Sequence, residues 1–597
     1  MNALLDRTRP CCPRPQLVRH RWVPLDGGWD FALDPEAVWQ EPEQVQWQGQ
    51  IRVPYAPETE LSGVGFTGFF RSCWYRLRVP APIEPAEIER GDRLVLRFGA
   101  VDYRANVWAG GGWCGSHDGG YTPFCFDVTG RSRDGQLEIV VRADDDPQDL
   151  AKPRGKQDWL LEPHVIWYPR TTGIWQTVWL EVVPAASIGS IRWTPSLEQW
   201  EIGLEIAVDG PVPAGATVRV QLSDGDRRLA RDTYQVLSRE VNRRIAFPDP
   251  GVDDNRNDLL WTPESPTLLD ATVELLDGDG RPLDQVASYT ALRSVAVQGD
   301  RILLNGRPYE VRMVLDQGYW PQSGLTAPDE DAFRRDVELA KAMGFNGVRK
   351  HQKIEDARYL CWADRLGLLV WEEMPSAYRF TVPSIERVTR EWIDVLARDH
   401  SHPCIMAWVP FNESWGVPNL PDKPAEREWV RALYHLTKTL DPTRPVIGND
   451  GWESVATDII GVHDYDDAPD EIAARYDSHE NRPKLFRHAR PGGRLLVLGS
   501  AGHLDHPVVL SEFGGIALSP DGEGTWGYKR CSTSEELLDL YKQLLDVVRS
   551  RDMLAGFCYT QFADTYQEAN GLLYADRRPK IPIDAICEAT RGVGRLR

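Results

Sequence analysis

Residues 405–416 read IMAWVPFNESWG, an apolar run that turns at once into a polar loop. A short continuous apolar run of this kind is typical of a strand that is buried on both faces, as in a parallel sheet. The loop that follows carries an amide and a carboxylate side by side, Asn412 and Glu413. Glu413 is therefore either a solvated loop residue or a group held at the open end of a barrel.

The same alternation of strand and helix continues on both sides of this stretch. Residues 329–344 have apolar positions at the spacing of a helix and end at Gly344. The stretches with the length and apolar content of strands are 309–315, 345–351, 368–374, 405–413, 445–450, 458–465, 507–515 and 554–562. Eight strands that alternate with helices predict a (β/α)8 TIM barrel over residues 295–597. In such barrels the functional residues lie on the loops after the strands.

The chain before residue 295 is predicted to be β-structure in two parts. Residues 1–183 contain strand-length runs such as CWYRLRVP (73–80), separated by Gly, Asp and Pro turns, and predict a jelly-roll β-sandwich. Residues 184–294 have the length and the alternating runs of an immunoglobulin-like β-sandwich. The predicted fold class is thus multidomain: a β-sandwich (jelly roll), an immunoglobulin-like β-sandwich and a TIM barrel.

The composition argues against several classes of function. The 597 residues include 89 acidic and 68 basic ones, and the net charge of −21 argues against nucleic acid or an anionic membrane as partner. The ten cysteines form no CxxC pair, and neither a GxSxG nor an HExxH motif occurs. No signal peptide is visible at the N-terminus and no apolar run is long enough to span a membrane, so we expect a cytoplasmic protein with reduced thiols.

A second glutamate occurs in a matching position. Glu512 lies in VVLSEFGG (508–515), so the strand count puts Glu413 after the fourth strand and Glu512 after the seventh. Two carboxyl groups that face one barrel axis suit hydrolysis of a glycosidic bond: one protonates the leaving oxygen, and the other attacks the sugar or activates water. A separation of about 5–5.5 Å would give a covalent intermediate and retention of configuration. The residues alone leave a second interpretation open, in which both glutamates pair with nearby arginines.

Five stretches, spread from the first predicted sandwich to the barrel, share a family likeness. They are FGAVDYRANVWAGG (98–111), RTTGIWQTVWLE (170–181), LLNGRPYEVRMV (303–314), WVPFNESWG (408–416) and LSEFGG (510–515). They resemble glycoside hydrolase family 2, the family of β-galactosidases, β-glucuronidases and β-mannosidases. The resemblance implies a retaining exo-glycoside hydrolase with a carbohydrate substrate and no cofactor. It also implies that Glu413 is the general acid/base, that Glu512 is the nucleophile, and that Asn412 binds the sugar hydroxyl beside the anomeric carbon.

The resemblance extends to side chains around the two glutamates. Arg349 is expected to hydrogen-bond Glu512 and keep it ionised, and Glu373 to contact the sugar or orient a neighbour. The other candidate substrate-binding residues lie at the predicted barrel opening or on a jelly-roll loop: Asp316, Gln317, His351, Trp452, His463, Tyr465, Thr560, Asp158 and Trp159. For several of these the alternative is a structural role, such as a barrel histidine with satisfied hydrogen bonds at His351.

The chain departs from the family where the terminal sugar would bind. Thr560 or Gln561 stands where β-galactosidases and β-glucuronidases carry a tryptophan, and residues 568–570 lack the lysine of the β-glucuronidase Asn-x-Lys. Glucuronic acid is therefore disfavoured. Loss of the indole favours a furanoside such as arabinofuranose or galactofuranose, and a β-galactopyranoside stays open. The metal ligands of some β-galactosidases are not evident in WEEMPSAYRF (371–380), so no metal is predicted.

A second class of function remains to be weighed, a catalytically inactive carbohydrate-binding protein. The presence of Glu413, Glu512 and Asn412 together argues against it, since loss of either glutamate is what would favour it. Self-association into a homo-oligomer is left open by the sequence.

Overall fold

The computed structural model describes residues 11–247, 258–499, 505–519 and 525–592. Antiparallel sheets occupy the first half of the chain, and a parallel sheet flanked by helices occupies the second. This is the predicted architecture of two sandwiches followed by a barrel. Residues 1–10, for which the sequence predicts no signal peptide, lie outside the described residues.

The first sandwich packs a four-stranded sheet against a six-stranded one. Its strands are β1 (Trp22–Pro24), β2 (Gly27–Asp34), β3 (Gly49–Val53), β4 (Ser72–Pro80), β5 (Arg93–Phe98), β6 (Val101–Asp102), β7 (Arg104–Ala109), β8 (Gly112–Asp118), β9 (Phe124–Asp127), β10 (Gln136–Asp144), β11 (Gly173–Ile174) and β12 (Val178–Val183), with one short helix, α1 (Pro85–Glu89). The sheet orders are β1-β12-β5-β9 and β3-β2-β4-β10-β7-β8, with a small β11-β6 pair. Trp29, Phe98 and Val141 lie in the core between them.

The second sandwich shows the alternation of buried and exposed side chains that its sequence predicts. Its strands are β13 (Ser187–Ser196), β14 (Glu201–Asp209), β15 (Thr217–Asp224), β16 (Arg227–Gln235), β17 (Glu240–Ala246), β18 (Leu269–Leu276) and β19 (Pro282–Thr290). The sheets have the orders β13-β14-β17 and β16-β15-β18-β19. In β14 the apolar Ile202, Leu204, Ile206 and Val208 are buried between more exposed neighbours, because successive side chains of a strand point to opposite faces.

The third region begins with a small antiparallel sheet and continues as the barrel. Its strands are β20 (Val295–Gln298), β21 (Arg301–Leu304), β22 (Arg307–Pro308), β23 (Val311–Asp316), β24 (Gly347–Lys350), β25 (Leu369–Glu373), β26 (Ile405–Val409), β27 (Ile460–His463), β28 (Val508–Gly514), β29 (Ile516–Leu518), β30 (Lys529–Cys531) and β31 (Leu554–Thr560). The parallel sheet has the order β26-β25-β24-β23-β31-β28-β27. Its strands are buried on both faces, as the run at 405–409 predicted.

The helices follow the strands and cover the outside of the parallel sheet. They are α2 (Glu330–Ala342), α3 (Ala357–Leu366), α4 (Val382–Asp399), α5 (Pro424–Leu440), α6 (Pro469–Arg475), α7 (Arg482–Arg487), α8 (Ser534–Arg549) and α9 (Ile583–Arg591). In α2, Phe333, Val337 and Ala340 are buried, which gives one apolar face at helical spacing. No helix in the described part of the chain is long and apolar enough to cross a membrane.

The predicted fifth strand, 445–450, is not a continuous strand. It meets β26 and its loop only through two parallel bridges, Trp408 with Val446 and Asn412 with Asp450. Proline at 445 has no N–H to donate, and the ladder is interrupted between the two bridges. On its other side Gly451 O accepts a hydrogen bond from His463 N at 3.3 Å, so the segment still occupies the fifth position of the barrel.

One pair of cysteines contradicts the expectation of reduced thiols. Cys11, at the start of the described chain, forms a disulfide with Cys361 on α3. The two residues are 350 positions apart in sequence, and both are buried. Their pairing depends on the N-terminal segment packing against the barrel, which no spacing rule in the sequence could show.

Candidate active site

Glu413 lies in a loop whose backbone is held in an unusual conformation. Glu413 and Ser414 have φ angles of 50° and 58°, in the left-handed region that non-glycine residues rarely adopt. The end of the 445–450 segment fixes these two residues, since Glu413 N donates to Asp450 O and Ser414 N to Asn449 Oδ1, each at 3.0 Å. Strained backbone that its surroundings maintain is concentrated at functional sites.

Glu512 lies in β28 and is held as an ion. Its Oε1 accepts a hydrogen bond from Arg349 Nη1 at 2.6 Å, and its Oε2 accepts one from the Tyr465 hydroxyl. Burial alone would raise the pKa of Glu512, but the charges of His463 and Arg349 outweigh it and lower the pKa to about 2. The carboxylate is therefore ionised throughout the neutral range, as a nucleophile must be.

His463, at the end of β27, lies between the two glutamates. Its Nδ1 is 2.7 Å from Glu413 Oε1, and its Nε2 is 3.4 Å from Glu512 Oε1 and 3.5 Å from Asp450 Oδ2. Burial would lower the pKa of His463, but these three carboxylates raise it to about 10, so the ring carries a positive charge at neutral pH. One carboxylate oxygen of Glu413, one of Glu512 and a ring nitrogen lie within 4.8 Å of one another.

Arg349, in β24, connects four of the site's polar groups while fully buried. It donates to Glu373 Oε2 and Glu512 Oε1 at 2.6 Å each and to Asn412 Oδ1 at 2.7 Å, and it lies 3.2 Å from Asp450 Oδ2. The bond to Asn412 fixes the orientation of that amide. Asn412 Nδ2 is then a buried donor with no partner among the described residues, which is the state expected of a group that binds a ligand.

Glu373 and His351 form a second buried contact beside Glu512. His351 Nδ1 is 2.9 Å from Glu373 Oε1 and 3.9 Å from Glu512 Oε1. Burial raises the pKa of Glu373 to about 7, against the opposing charge of Arg349. Burial, with the charges of Lys156 and Arg349, holds the pKa of His351 well below its usual range, so its ring is neutral.

Three further predicted residues lie at the ends of the first and eighth strands. Asp316 is committed to Lys350 Nζ at 2.6 Å and to Gly318 N at 2.8 Å, which leaves it a structural ion pair rather than a free sugar ligand. Gln317 is buried, and its Oε1 has no partner among the described residues. Thr560 Oγ1 lies 3.2 Å from the Tyr465 hydroxyl, which donates to Glu512.

The jelly-roll loop predicted to reach the barrel mouth does reach it, but not through Asp158. Both carboxylate oxygens of Asp158 accept hydrogen bonds from their own loop, from Leu160 N and from His164. Trp159 packs edge-on against Trp167 at 4.9 Å and against Tyr378 at 5.2 Å.

Trp415 and Trp452 give the site aromatic edges. Trp167 stacks at 6.0 Å on Trp415, two residues after Glu413. The Trp452 ring lies edge-on to His463, with centroids 5.7 Å apart. Both indoles therefore lie next to the groups around the acid/base candidate.

Sequence reasoning missed three residues of this site: Asp450, Lys156 and Glu568. Asp450 ends the 445–450 run as a polar residue at a strand end, which was a usable signal. Salt bridges to Arg349 and His463 lower its pKa, despite burial that would raise it. Nothing local in the sequence distinguished Lys156, and residues 568–570 stood out only for lacking the lysine of the Asn-x-Lys.

Among the described residues, two groups of side chains have the composition of metal ligands. Glu413, His463 and Glu512 form one, but a charged imidazole has no lone pair for a cation, and His463 is held in that form. In the other, Asp364, His402 and Cys404, the aspartate already accepts hydrogen bonds from Cys404 N and Tyr289 and contacts His402 at 2.5 Å. The prediction that no metal is needed stays a prediction.

The chain is similar to known proteins over most of its length. The model "Glycosyl hydrolases family 2, TIM barrel domain" matches residues 295–591, and "Glycosyl hydrolases family 2" matches residues 186–293. The chain is 25% identical over 385 residues to a β-galactosidase of Thermoanaerobacter pseudethanolicus (63% of this chain, 48% of that protein). It is 25% identical over 527 residues to a β-galactosidase of Vibrio cholerae (85% of this chain, 46% of that protein). The chain thus spans just under half the length of these relatives.

Solved structures share the fold over nearly the whole chain. A Bifidobacterium dentium β-glucuronidase complexed with coumarin-3-O-glucuronide superposes with a TM-score of 0.77 at 21% identity, covering 97% of this chain and 98% of that one. An Eisenbergiella tayi β-galacturonidase bound to galacturonate gives a TM-score of 0.73 at 22% identity, with the same coverage. The two family models together match two adjoining segments that run from residue 186 to residue 591, and the chain therefore belongs to glycoside hydrolase family 2.

Proposed function

We propose that this protein is a retaining exo-glycoside hydrolase that releases a terminal sugar by double displacement. The observation that carries the proposal is the distance between the two candidate carboxylates, whose closest oxygens lie within 4.8 Å of each other. Retaining enzymes place their carboxyl groups about 5–5.5 Å apart, whereas inverting enzymes leave about 6.5–9.5 Å for a water molecule.

In the first step Glu512 attacks the anomeric carbon and Glu413 gives its proton to the leaving oxygen. Glu512 is suited to attack because the charges of His463 and Arg349 keep it ionised. The free Nδ2 of Asn412 is available to donate to the hydroxyl beside the anomeric carbon, a contact that strengthens in the transition state.

In the second step Glu413 removes a proton from water, which attacks the glycosyl ester. Once Glu512 is an ester its charge is gone, and the His463 cation then faces Glu413 and Asp450 alone. Glu413 is the base of this step. His463 contacts both glutamates, an arrangement that the sequence did not suggest.

The terminal sugar we propose is β-galactoside-type or a furanoside. The curated relatives are β-galactosidases, which supports the first. The short polar Thr560 beside Tyr465, in place of an indole, supports the second, since a flat platform for a pyranose ring is missing there. Release of a terminal residue is supported by the loop around residue 155, which is hydrogen-bonded to Ser376 in the loop after β25, on the side of the barrel that carries the two glutamates.

Initial rates on 4-nitrophenyl glycosides test the proposal. The panel contains β-galactopyranoside, β-glucuronide, β-mannoside, β-glucoside, β-galactofuranoside and α-L-arabinofuranoside. We expect the wild type to hydrolyse at least one of these glycosides. The rate should fall at least 10⁴-fold in Glu512→Gln and stay unchanged in the control Glu428→Gln, at an exposed glutamate. The anomer first released, observed by NMR, should keep the configuration of the substrate. Release of the inverted anomer would refute the retaining mechanism, and activity that survives Glu512→Gln would refute the assignment of the nucleophile.

A further inference from the structure

Lys156 belongs to the first region of the chain but reaches the barrel opening. The preceding residues are anchored there, because Arg154 N and Gly155 N donate to Ser376 O at 3.1 and 3.3 Å. Gly155 has a φ of +58°, and a Cβ at this position would come within 2.2 Å of Gln352 O. Only glycine allows so close a contact, so the loop is fixed against the ends of β24 and β25.

Lys156 is a largely buried side chain whose ammonium group has no hydrogen-bond partner among the described residues. It is 5% exposed, and it forms no hydrogen bond or ion pair with any residue that the structure describes. The other buried lysines each have oxygen partners: Lys152 with Asp145, Lys350 with Asp316 and Glu355, Lys353 with Glu355, and Lys580 with Asp564. The Lys156 ammonium has three donors that no described residue uses, so they are available to a ligand that enters the site.

The surroundings of Lys156 are those of the active site. Its Nζ lies 5.3 Å from the ring centre of Trp415. Its charge acts on His351, beside the nucleophile, and on Glu568, in the loop after β31. Lys156 and Glu568 are also linked through Tyr168, whose N donates to Lys156 O at 2.8 Å and whose hydroxyl donates to Glu568 Oε2 at 2.5 Å.

Glu568 presents a free acceptor in the same place. Both of its side-chain hydrogen bonds, from Tyr168 and from Gln561 Nε2 at 3.1 Å, go to Oε2, so Oε1 receives none from the described residues. Burial raises the pKa of Glu568, and the charge of Glu512 raises it further, which puts this carboxyl within the field of the nucleophile. Asn570 Nδ2 next to it is also buried without a partner in the described structure.

We propose that Lys156 and Glu568 bind hydroxyl groups of the terminal sugar, Lys156 as donor and Glu568 as acceptor, and restrict the site to a neutral glycone. The inference rests on the proposed glycosidase function and adds to it a sugar-binding residue from outside the barrel. A hydroxyl pair uses both groups, since one oxygen accepts from the ammonium and one O–H donates to the carboxylate. A sugar carboxylate would gain Lys156 but would face Glu568 and Glu512.

The test compares Lys156→Met, Lys156→Arg and Glu568→Gln with the wild type. Lys423→Met, an exposed lysine at the start of α5, is the matched control. The substrates are the 4-nitrophenyl glycoside that the wild type hydrolyses fastest, its monodeoxy analogues and the corresponding uronide. Melting temperatures of all variants are measured alongside, so that loss of fold is separated from loss of a contact.

Lys156→Met is expected to lower kcat/KM about 10- to 100-fold on the parent glycoside, with a melting temperature close to that of the wild type. On one monodeoxy substrate this loss should disappear, because the hydroxyl that Lys156 binds is already missing. Glu568→Gln should raise the rate on the uronide relative to the parent about tenfold or more. Lys156→Arg, which keeps the charge, should recover part of the activity.

A loss of equal size on every deoxy substrate would make Lys156 a structural residue and overturn the proposal. The proposal would also be overturned if the wild type preferred the uronide and Lys156→Met lost this preference, because Lys156 would then bind a carboxylate. Absence of turnover by the wild type on every glycoside would count against the proposed function itself.

Discussion

Replacement of His463 by glutamine should move the acid limb of the pH–rate profile. The limb in kcat/KM reports protonation of the free enzyme's nucleophile. The pKa of Glu512 is lowered from an ordinary value of 4.5 to about 2, which corresponds to about 3 kcal/mol in favour of the carboxylate at 1.36 kcal/mol per tenfold change. Wild-type kcat/KM should therefore stay level down to about pH 3.

His463 supplies the largest favourable charge at Glu512, and glutamine keeps the hydrogen-bonding capacity without the charge. We expect the limb of His463→Gln to rise by at least one pH unit. The plateau should also fall about 10- to 100-fold, because Glu413 loses the contact with His463 Nδ1 at 2.7 Å that positions it. The sign follows from the charge: removing a cation destabilises the carboxylate, so its pKa rises toward the ordinary value.

The assay is kcat/KM on the preferred 4-nitrophenyl glycoside between pH 2.5 and 8, with His435→Gln, an exposed histidine on α5, as the control. Each sample is returned to pH 6 and assayed again, so that irreversible acid inactivation is not read as titration. An acid limb at the same pH in His463→Gln and wild type would refute the reasoning, since His463 would then not stabilise the nucleophile's charge.

Two further predictions concern the site and the N-terminal segment. Asn412→Ala should lower kcat/KM about 100-fold on the parent glycoside but only a few-fold on its 2-deoxy analogue. The analogue lacks the hydroxyl that the wild-type Asn412 Nδ2 would bind, so removing this amide costs little on that substrate. Equal losses on both substrates would contradict this prediction. Cys11→Ser should lower the melting temperature by a few degrees without reductant and leave it unchanged in dithiothreitol, since the disulfide to Cys361 restricts the unfolded chain. Cys125→Ser, at an exposed free thiol, is the control, and an identical shift in it would refute the prediction.

The success of the sequence prediction differs between individual elements. The barrel was predictable because each strand and helix carries its own local period, as at 405–409 and in α2. The 445–450 segment has the composition of a strand but lacks the continuous ladder of hydrogen bonds that defines one. Hydrogen bonding between strands depends on the neighbouring strands as well as on the segment itself. The expectation of reduced thiols was wrong at Cys11, because its disulfide likewise depends on a distant part of the chain, Cys361.

The sequence by itself determined the order of the two sandwiches and the barrel and the positions of Glu413 and Glu512 at strand ends. These follow from periodicity and from which residues come next along the chain, and both are properties of short segments. Only the tertiary structure decided that His463 lies between the glutamates, that Arg349 binds Asn412 across 63 residues and Glu512 across 163, and that Tyr168 meets Glu568 across 400. Such contacts arise from the packing of distant elements, and the charge on a buried group depends on all of its neighbours at once.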